Sequence, residues 1–170
     1  MAFSPEEISD REQIRDVAIR YCRGVDRLDV ECMKSAYWPD AIDEHGGFVG
    51  NAHEFAEYCM SAHRKWSWTM HSIFNHLIDL DDGGRSARGE LYNVTNLCRA
   101  ETGALDTWYG RYLDRYEKRG EEWRILHRVC VHHGTCSTPE SPMAIDTSRY
   151  LDGSFDRPSA GRRLGPPEAS

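Results

Sequence analysis

His71 stands in the run Met70-His71-Ser72-Ile73-Phe74-Asn75-His76-Leu77, where apolar and polar positions alternate. Alternation with a period of two is the pattern of a half-buried strand, and it places His71, Ile73, Asn75 and Leu77 on one face. Histidine is the side chain whose charge changes nearest neutral pH, and a carboxylate beside it holds one tautomer and stabilises the imidazolium after proton capture. Asp26, at the end of an amphipathic helix and just past Gly24, is the candidate carboxylate. Such a pair is a general base worth typically about 10²–10⁴ in rate. Taken alone, the two residues leave a plainer reading open: Asp26 caps the helix that follows, and His71 is a satisfied core histidine.

Two further residues can handle charge. Tyr21 lies five residues before Asp26, about 140° away on a continuous helix, so the two converge only if the helix ends near Gly24. Its phenol can donate to a leaving oxygen or polarise a carbonyl; otherwise it is a core aromatic. Alternation from Trp123 puts Arg124, Leu126, Arg128 and Cys130 on one face, with Trp123, Ile125, His127, Val129 and Val131 on the other. An arginine among Leu and Cys is costly to bury without an anion, so Arg128 either meets an anion inside or makes a surface salt bridge. Asn75 can bond a substrate or the backbone, and Trp38, Tyr92 and Trp108 are candidate pocket walls beside Trp66 and Trp68.

Composition narrows the classes. Lys+Arg 21 against Asp+Glu 28 gives a net charge of −7 over 170 residues, which argues against phosphate-neutralising nucleic-acid binding. One domain is expected at this length. No GxGxxG, GxxxxGK[ST], HExxH or GxSxG motif occurs, and His132-His133 point to opposite strand faces, so neither nucleotide nor metal is expected. The six cysteines form no CxxC pair and read as reduced. No apolar run reaches the roughly 20 residues of a membrane span, and MAFSPEEISDREQ lacks a charged-then-apolar leader, so a cytoplasmic protein with no membrane partner is expected.

The elements follow from spacing. Residues 1–9 read as a short leader, with Asp10 capping a helix that carries Ile14, Val17, Ala18, Tyr21, Cys22 and Val25. A second helix follows Asp29 and stops at Trp38-Pro39-Asp40. A short strand and a glycine turn fill 41–50, and Asn51-Ala52-His53-Glu54 opens a third helix. Four long strands then run from Trp68, Arg88, Leu105 and Trp123, joined by turns at Asp81-Asp82-Gly83-Gly84, Thr102-Gly103 and Lys118-Arg119-Gly120-Glu121. Five of the seven prolines fall after Ser137. The expected division is a domain over 1–138 and an extended tail over 139–170. This is an α+β chain with three N-terminal helices on one face of a curved antiparallel sheet.

This order resembles the cystatin-like α+β cone, or barrel, of the nuclear transport factor 2 superfamily, and within it the SnoaL-like branch. That branch holds scytalone dehydratase, hexachlorocyclohexane dehydrochlorinase and bile acid 7α-dehydratase. The resemblance covers about residues 8–138. It rests on the first helix ending in Gly24-Val25-Asp26, on Tyr37-Trp38-Pro39-Asp40, on His71-x-x-x-Asn75, and on Tyr116-Glu117 followed by Trp123 and Arg128. It implies that Asp26 and His71 occupy the positions of a catalytic dyad, that Tyr21 favours an oxygenated substrate, and that Arg128 faces the pocket. It implies a cofactor-independent lyase, dehydratase-like, acting on a small aromatic, polyketide or steroid-like alcohol. Loss of water and loss of formaldehyde would use the same groups. It also implies a homotrimer. Two other readings stay within the superfamily: a non-catalytic binding or assembly subunit of the dioxygenase small-subunit type, and a ketosteroid-isomerase-like isomerase with Asp26 as proton shuttle.

Overall fold

The computed structural model describes residues 3–81 and 83–139. The expected tail therefore lies, apart from Pro139, outside the described residues.

Helix α1 runs from Pro5 to Asp26 and begins earlier than expected. Ser4 and Glu7 form a reciprocal capping box, the Ser4 hydroxyl accepting from the Glu7 N–H while the Glu7 carboxylate accepts from the Ser4 N–H. Asp10 is consequently no cap. It is buried, and its Oδ1 accepts from Lys118 Nζ and Trp123 Nε1, both at 2.8 Å, tying the helix to the far end of the sheet.

The helix continues through Gly24, whose missing side chain is required by the neighbouring helix α2, Val30–Lys34: a Cβ there would stand 2.4 Å from the Met33 nitrogen. The turn between them is closed by Leu28 N–H to Val25 C=O and Asp29 N–H to Gly24 C=O. Leu28 adopts φ 49° to make it.

Strand β1, Tyr37–His45, passes through the proline expected to stop the preceding helix. Its pairing with β6 is interrupted between Tyr37 and Ile42, so the absent Pro39 N–H breaks no ladder bond. Strand β2, Phe48–Asn51, turns back on it, and Asn51 caps α3, Ala52–Ala62, by accepting from the His53 and Glu54 N–H groups. A single 3₁₀ turn, His63–Lys65, leads into β3, Trp66–Leu80. The remaining strands are β4, Ser86–Arg99; β5, Leu105–Arg119; and β6, Glu122–Thr138.

The sheet has six strands in the order β2-β1-β6-β5-β4-β3, with β1 parallel to β6 and every other pair antiparallel. It does not close, so the architecture is an open cone with edges at β2 and β3 rather than a barrel. The helices cover its concave side: α1 packs on β3 and β6, and α3 packs on β1. Ile14, Val17, Tyr21, Val25, Tyr37, Leu91, Tyr112, Trp123 and Ile125 fill the space between.

The pairings of β3 with β4 and of β5 with β6 each shift register at two places, and one shift in each moves expected site residues. Ile73 pairs with Asn93 but His76 pairs with Leu91, so β3 carries one extra residue. Ile125 pairs with Tyr116 but His127 pairs with Arg115, so Leu126 is the extra residue of β6. Beyond each bulge the faces exchange.

Among the described residues no helix is long and apolar enough to cross a membrane.

Candidate active site

Asp26 is the last residue of α1, and its carboxylate is spent entirely on β3. Oδ1 accepts from His71 Nδ1 at 2.6 Å and from Thr69 Oγ1 at 2.9 Å, while Oδ2 accepts the His71 backbone N–H at 2.8 Å. Three donors on one strand hold the carboxylate still. Nδ1 of His71 is then the protonated nitrogen, and Nε2 is left as a bare acceptor. Tyr21 meets the His71 ring edge-on at 6.3 Å. It does so although α1 is unbroken, because the imidazole lies between the two helical positions and touches both. Burial pushes the Tyr21 phenol well above its ordinary value, so it remains a donor.

His71 lines a cavity of about 440 Å³ at the open end of the cone, within the range of ligand sites. Trp66, Trp108, Tyr112 and Leu97 supply apolar wall, and Thr95 and Thr107 supply hydroxyls. Gly110 makes room for the Trp108 indole, which lies where a Cβ would stand 2.1 Å from it. A smaller hollow of about 140 Å³ lies against Tyr21, Val25 and Phe55. His45, His63 and His71 line both spaces.

His63 Nδ1 reaches the Cys59 carbonyl at 3.0 Å and Cys59 Sγ at 3.1 Å. Burial, with the nearby His71, pulls His63 down to about 4, and burial pushes the Cys59 thiol up to about 12. The pair therefore stays neutral at pH 7, and Cys59 is no thiolate nucleophile. All six cysteines are free thiols, and among the described residues no three His, Cys, Asp or Glu groups converge as metal ligands.

Arg128 does not face this cavity. The bulge at Leu126 turns it into the core, where it is wholly buried opposite its cross-strand neighbour Asp114. Nε and Nη2 donate to the two Asp114 oxygens at 2.8 and 2.7 Å, so the anion that offsets its burial belongs to the protein. The guanidinium is sandwiched by the Tyr21 and Tyr112 rings at 4.2 and 4.0 Å, and Nη1 has no partner. It stands behind the cavity wall.

Three expected substrate contacts also lie elsewhere. Asn75 sits in the β3 bulge and is exposed, so it does not share the His71 face. Trp38 follows the inward Tyr37 and therefore points out, donating to the Glu117 carbonyl at 2.9 Å beneath Arg119 and Arg124. Tyr92, between the buried Leu91 and Asn93, is on the outer face near Arg111. Trp108 does line the cavity and stacks on Tyr112. Sequence reasoning missed His45, His63, Thr95 and Tyr112 as lining residues. The Tyr112 signal was present, since it is the middle of the aromatic run of β5.

The SnoaL-like domain model matches residues 6–129 of the chain. No curated protein sequence matches it. Among solved structures, hexachlorocyclohexane dehydrochlorinase (LinA, type 2) superposes with a TM-score of 0.72 at 17% identity, over 82% of this chain and 98% of that one. A putative scytalone dehydratase from Novosphingobium aromaticivorans gives a TM-score of 0.71 at 14% identity, over 88% and 100%. Rv3472, of unknown function, from Mycobacterium tuberculosis gives 0.67 at 25% identity, over 78% of each chain. These likenesses agree with the open cone of helices on sheet, and with a domain match over most of its length the chain belongs to the SnoaL-like family.

Proposed function

We propose that the protein is a cofactor-independent lyase that removes water, or formaldehyde, from a small aromatic, polyketide or steroid-like alcohol. The observation that carries this reading is the 2.6 Å contact between His71 Nδ1 and Asp26, made in the wall of a cavity large enough for such a molecule. His71 Nε2 takes a proton from the substrate. Asp26 balances the imidazolium and fixes the ring. The phenol of Tyr21, which borders the adjoining small hollow that His71 also lines, donates toward the oxygen that departs or enolises, and the Arg128 guanidinium lies against the Tyr21 ring from behind. Trp66, Trp108 and Tyr112 suit a flat ring. Two of the similar structures bear the names of elimination enzymes, a dehydrochlorinase and a dehydratase. A binding subunit has no use for a carboxylate locked by three donors onto one imidazole. An isomerase with Asp26 as shuttle would need that carboxylate free.

The protein acts as a homotrimer assembled through the outer sheet face. Leu77 and Leu113 flank Glu90 in one cross-strand row there, with Met70, Phe74, Tyr92 and Tyr109 also exposed.

The test is mass spectrometry of a metabolite extract incubated with the full chain. A product lighter than a depleted species by the mass of water or formaldehyde, absent with His71→Ala, supports the reading. Identical extracts from wild type and His71→Ala refute it.

A further inference from the structure

A second carboxylate–imidazole pair faces the same cavity. Asp43 and His45 lie two residues apart on β1, on one side of the strand, and Asp43 is fully buried. Asp43 Oδ2 accepts the Tyr37 hydroxyl at 2.6 Å. Asp43 Oδ1 stands 3.3 Å from His45 Nδ1, yet the two are not aligned for a hydrogen bond, and neither has another partner among the described residues. Buried polar atoms left unpaired are costly, and turning the imidazole onto Asp43 satisfies both at once. Arg128, paired with Asp43 across β1 and β6, gives Nε and Nη2 to Asp114 and makes no hydrogen bond to Asp43. The His45 ring stacks on Phe55 at 4.7 Å and 21°, and it borders both hollows with His71. With Nδ1–H directed to Asp43, Nε2 is a bare acceptor, the same arrangement that Asp26 gives His71.

We propose that His45, held by Asp43, is a second ligand-binding imidazole of this site, and that the bound molecule is a ring carrying a hydroxyl for His45 apart from the group that His71 handles. This rests on the reading of the cavity as a substrate site. The ligand class is a ring with at least two separate hydroxyl donors. Asp43 is the positioning residue: it fixes the tautomer and does not touch the ligand.

The experiment is an NMR titration of the full chain under argon with hydroquinone, its monomethyl ether and its dimethyl ether, which differ mainly in the number of donors. Wild type is expected to prefer hydroquinone over the monomethyl ether by roughly fivefold, a net hydrogen bond of about 1 kcal/mol converted at about 1.4 kcal/mol per decade. His45→Phe keeps the ring stacked on Phe55 and abolishes that preference; His45→Gln serves as a second variant with a different shape. Asp43→Asn lowers the preference while leaving affinity for the dimethyl ether unchanged. A preference that survives His45→Phe, or no preference in wild type, overturns the proposal. His71→Phe reports on the other reading: if it binds all three probes as wild type does, the His71 assignment falls while His45 stands.

Discussion

Replacing Asp114 by Asn removes the carboxylate that is salt-bridged to Arg128. Both side chains are at 0% exposure, and the pair is closed by hydrogen bonds of 2.8 and 2.7 Å. The Tyr116 hydroxyl also donates to Asp114, at 2.6 Å, and loses its charged acceptor. Breaking one side of a buried pair leaves an uncompensated charge and costs about 3–5 kcal/mol, against a total stability of about 5–15 kcal/mol. With a urea dependence of about 2 kcal/mol per molar, the unfolding midpoint falls by roughly 2 M. The double variant Arg128→Met/Asp114→Leu removes both charges and recovers most of the loss, because an apolar pair of similar volume needs no desolvation. Urea unfolding of Asp114→Asn, of the single variants Arg128→Met and Asp114→Leu, and of their double variant, followed by tryptophan fluorescence, gives the coupling directly. A single-variant cost below about 1 kcal/mol, the size of a solvent-exposed bridge, would refute the claim that Arg128 is a dry structural cation rather than a pocket group.

Gly24→Ala gains helix propensity of about 1 kcal/mol but drives a Cβ into the Met33 backbone, so a net destabilisation of roughly 1–3 kcal/mol is expected by thermal melting. Stability also falls between pH 6.5 and about 4: His63, half-buried and beside His71, has its folded value pulled down to about 4 by desolvation, so the unfolded chain binds more protons throughout that window. That contribution is complete above 6.5, amounts to at most about 3 kcal/mol, and is removed by His63→Phe; urea midpoints at pH 7 and 5 check it. His76, also half-buried, acts in the same direction. Light scattering of the full chain is expected to give a trimer, and Leu77→Glu/Leu113→Glu a monomer; a monomeric wild type removes the assembly proposal.

The elements that carry the site were legible because their signals are local. The spacing from Ile14 to Val25 gave α1, Asn51 gave the start of α3, and turn residues gave the three hairpins. Asp26 and His71 could be named because one ends a helix and the other stands on a clear alternation. The start of α1 was misread, although Ser4-Pro5-Glu6-Glu7 carries a capping signature. What alternation could not supply was the phase beyond a bulge. One extra residue near Asn75 and another at Leu126 leave no mark on composition, yet they expel Asn75 and send Arg128 into the core. Asp114 as its partner is a matter of cross-strand register, and register between distant strands is set by the assembled sheet. Asp43 and His45 were hidden for a related reason: β1 joins β6 in parallel after a gap, a pairing that no hairpin announces.

The central claim is that Asp26 fixes the His71 ring with Nδ1 protonated and Nε2 bare toward the cavity. Two-bond proton–nitrogen NMR of the histidine rings at neutral pH reads this without any substrate. The pattern expected for His71 is the Nδ1–H tautomer, lost on Asp26→Asn. An Nε2–H tautomer in the wild type, or a His71 pattern indifferent to Asp26→Asn, would contradict it.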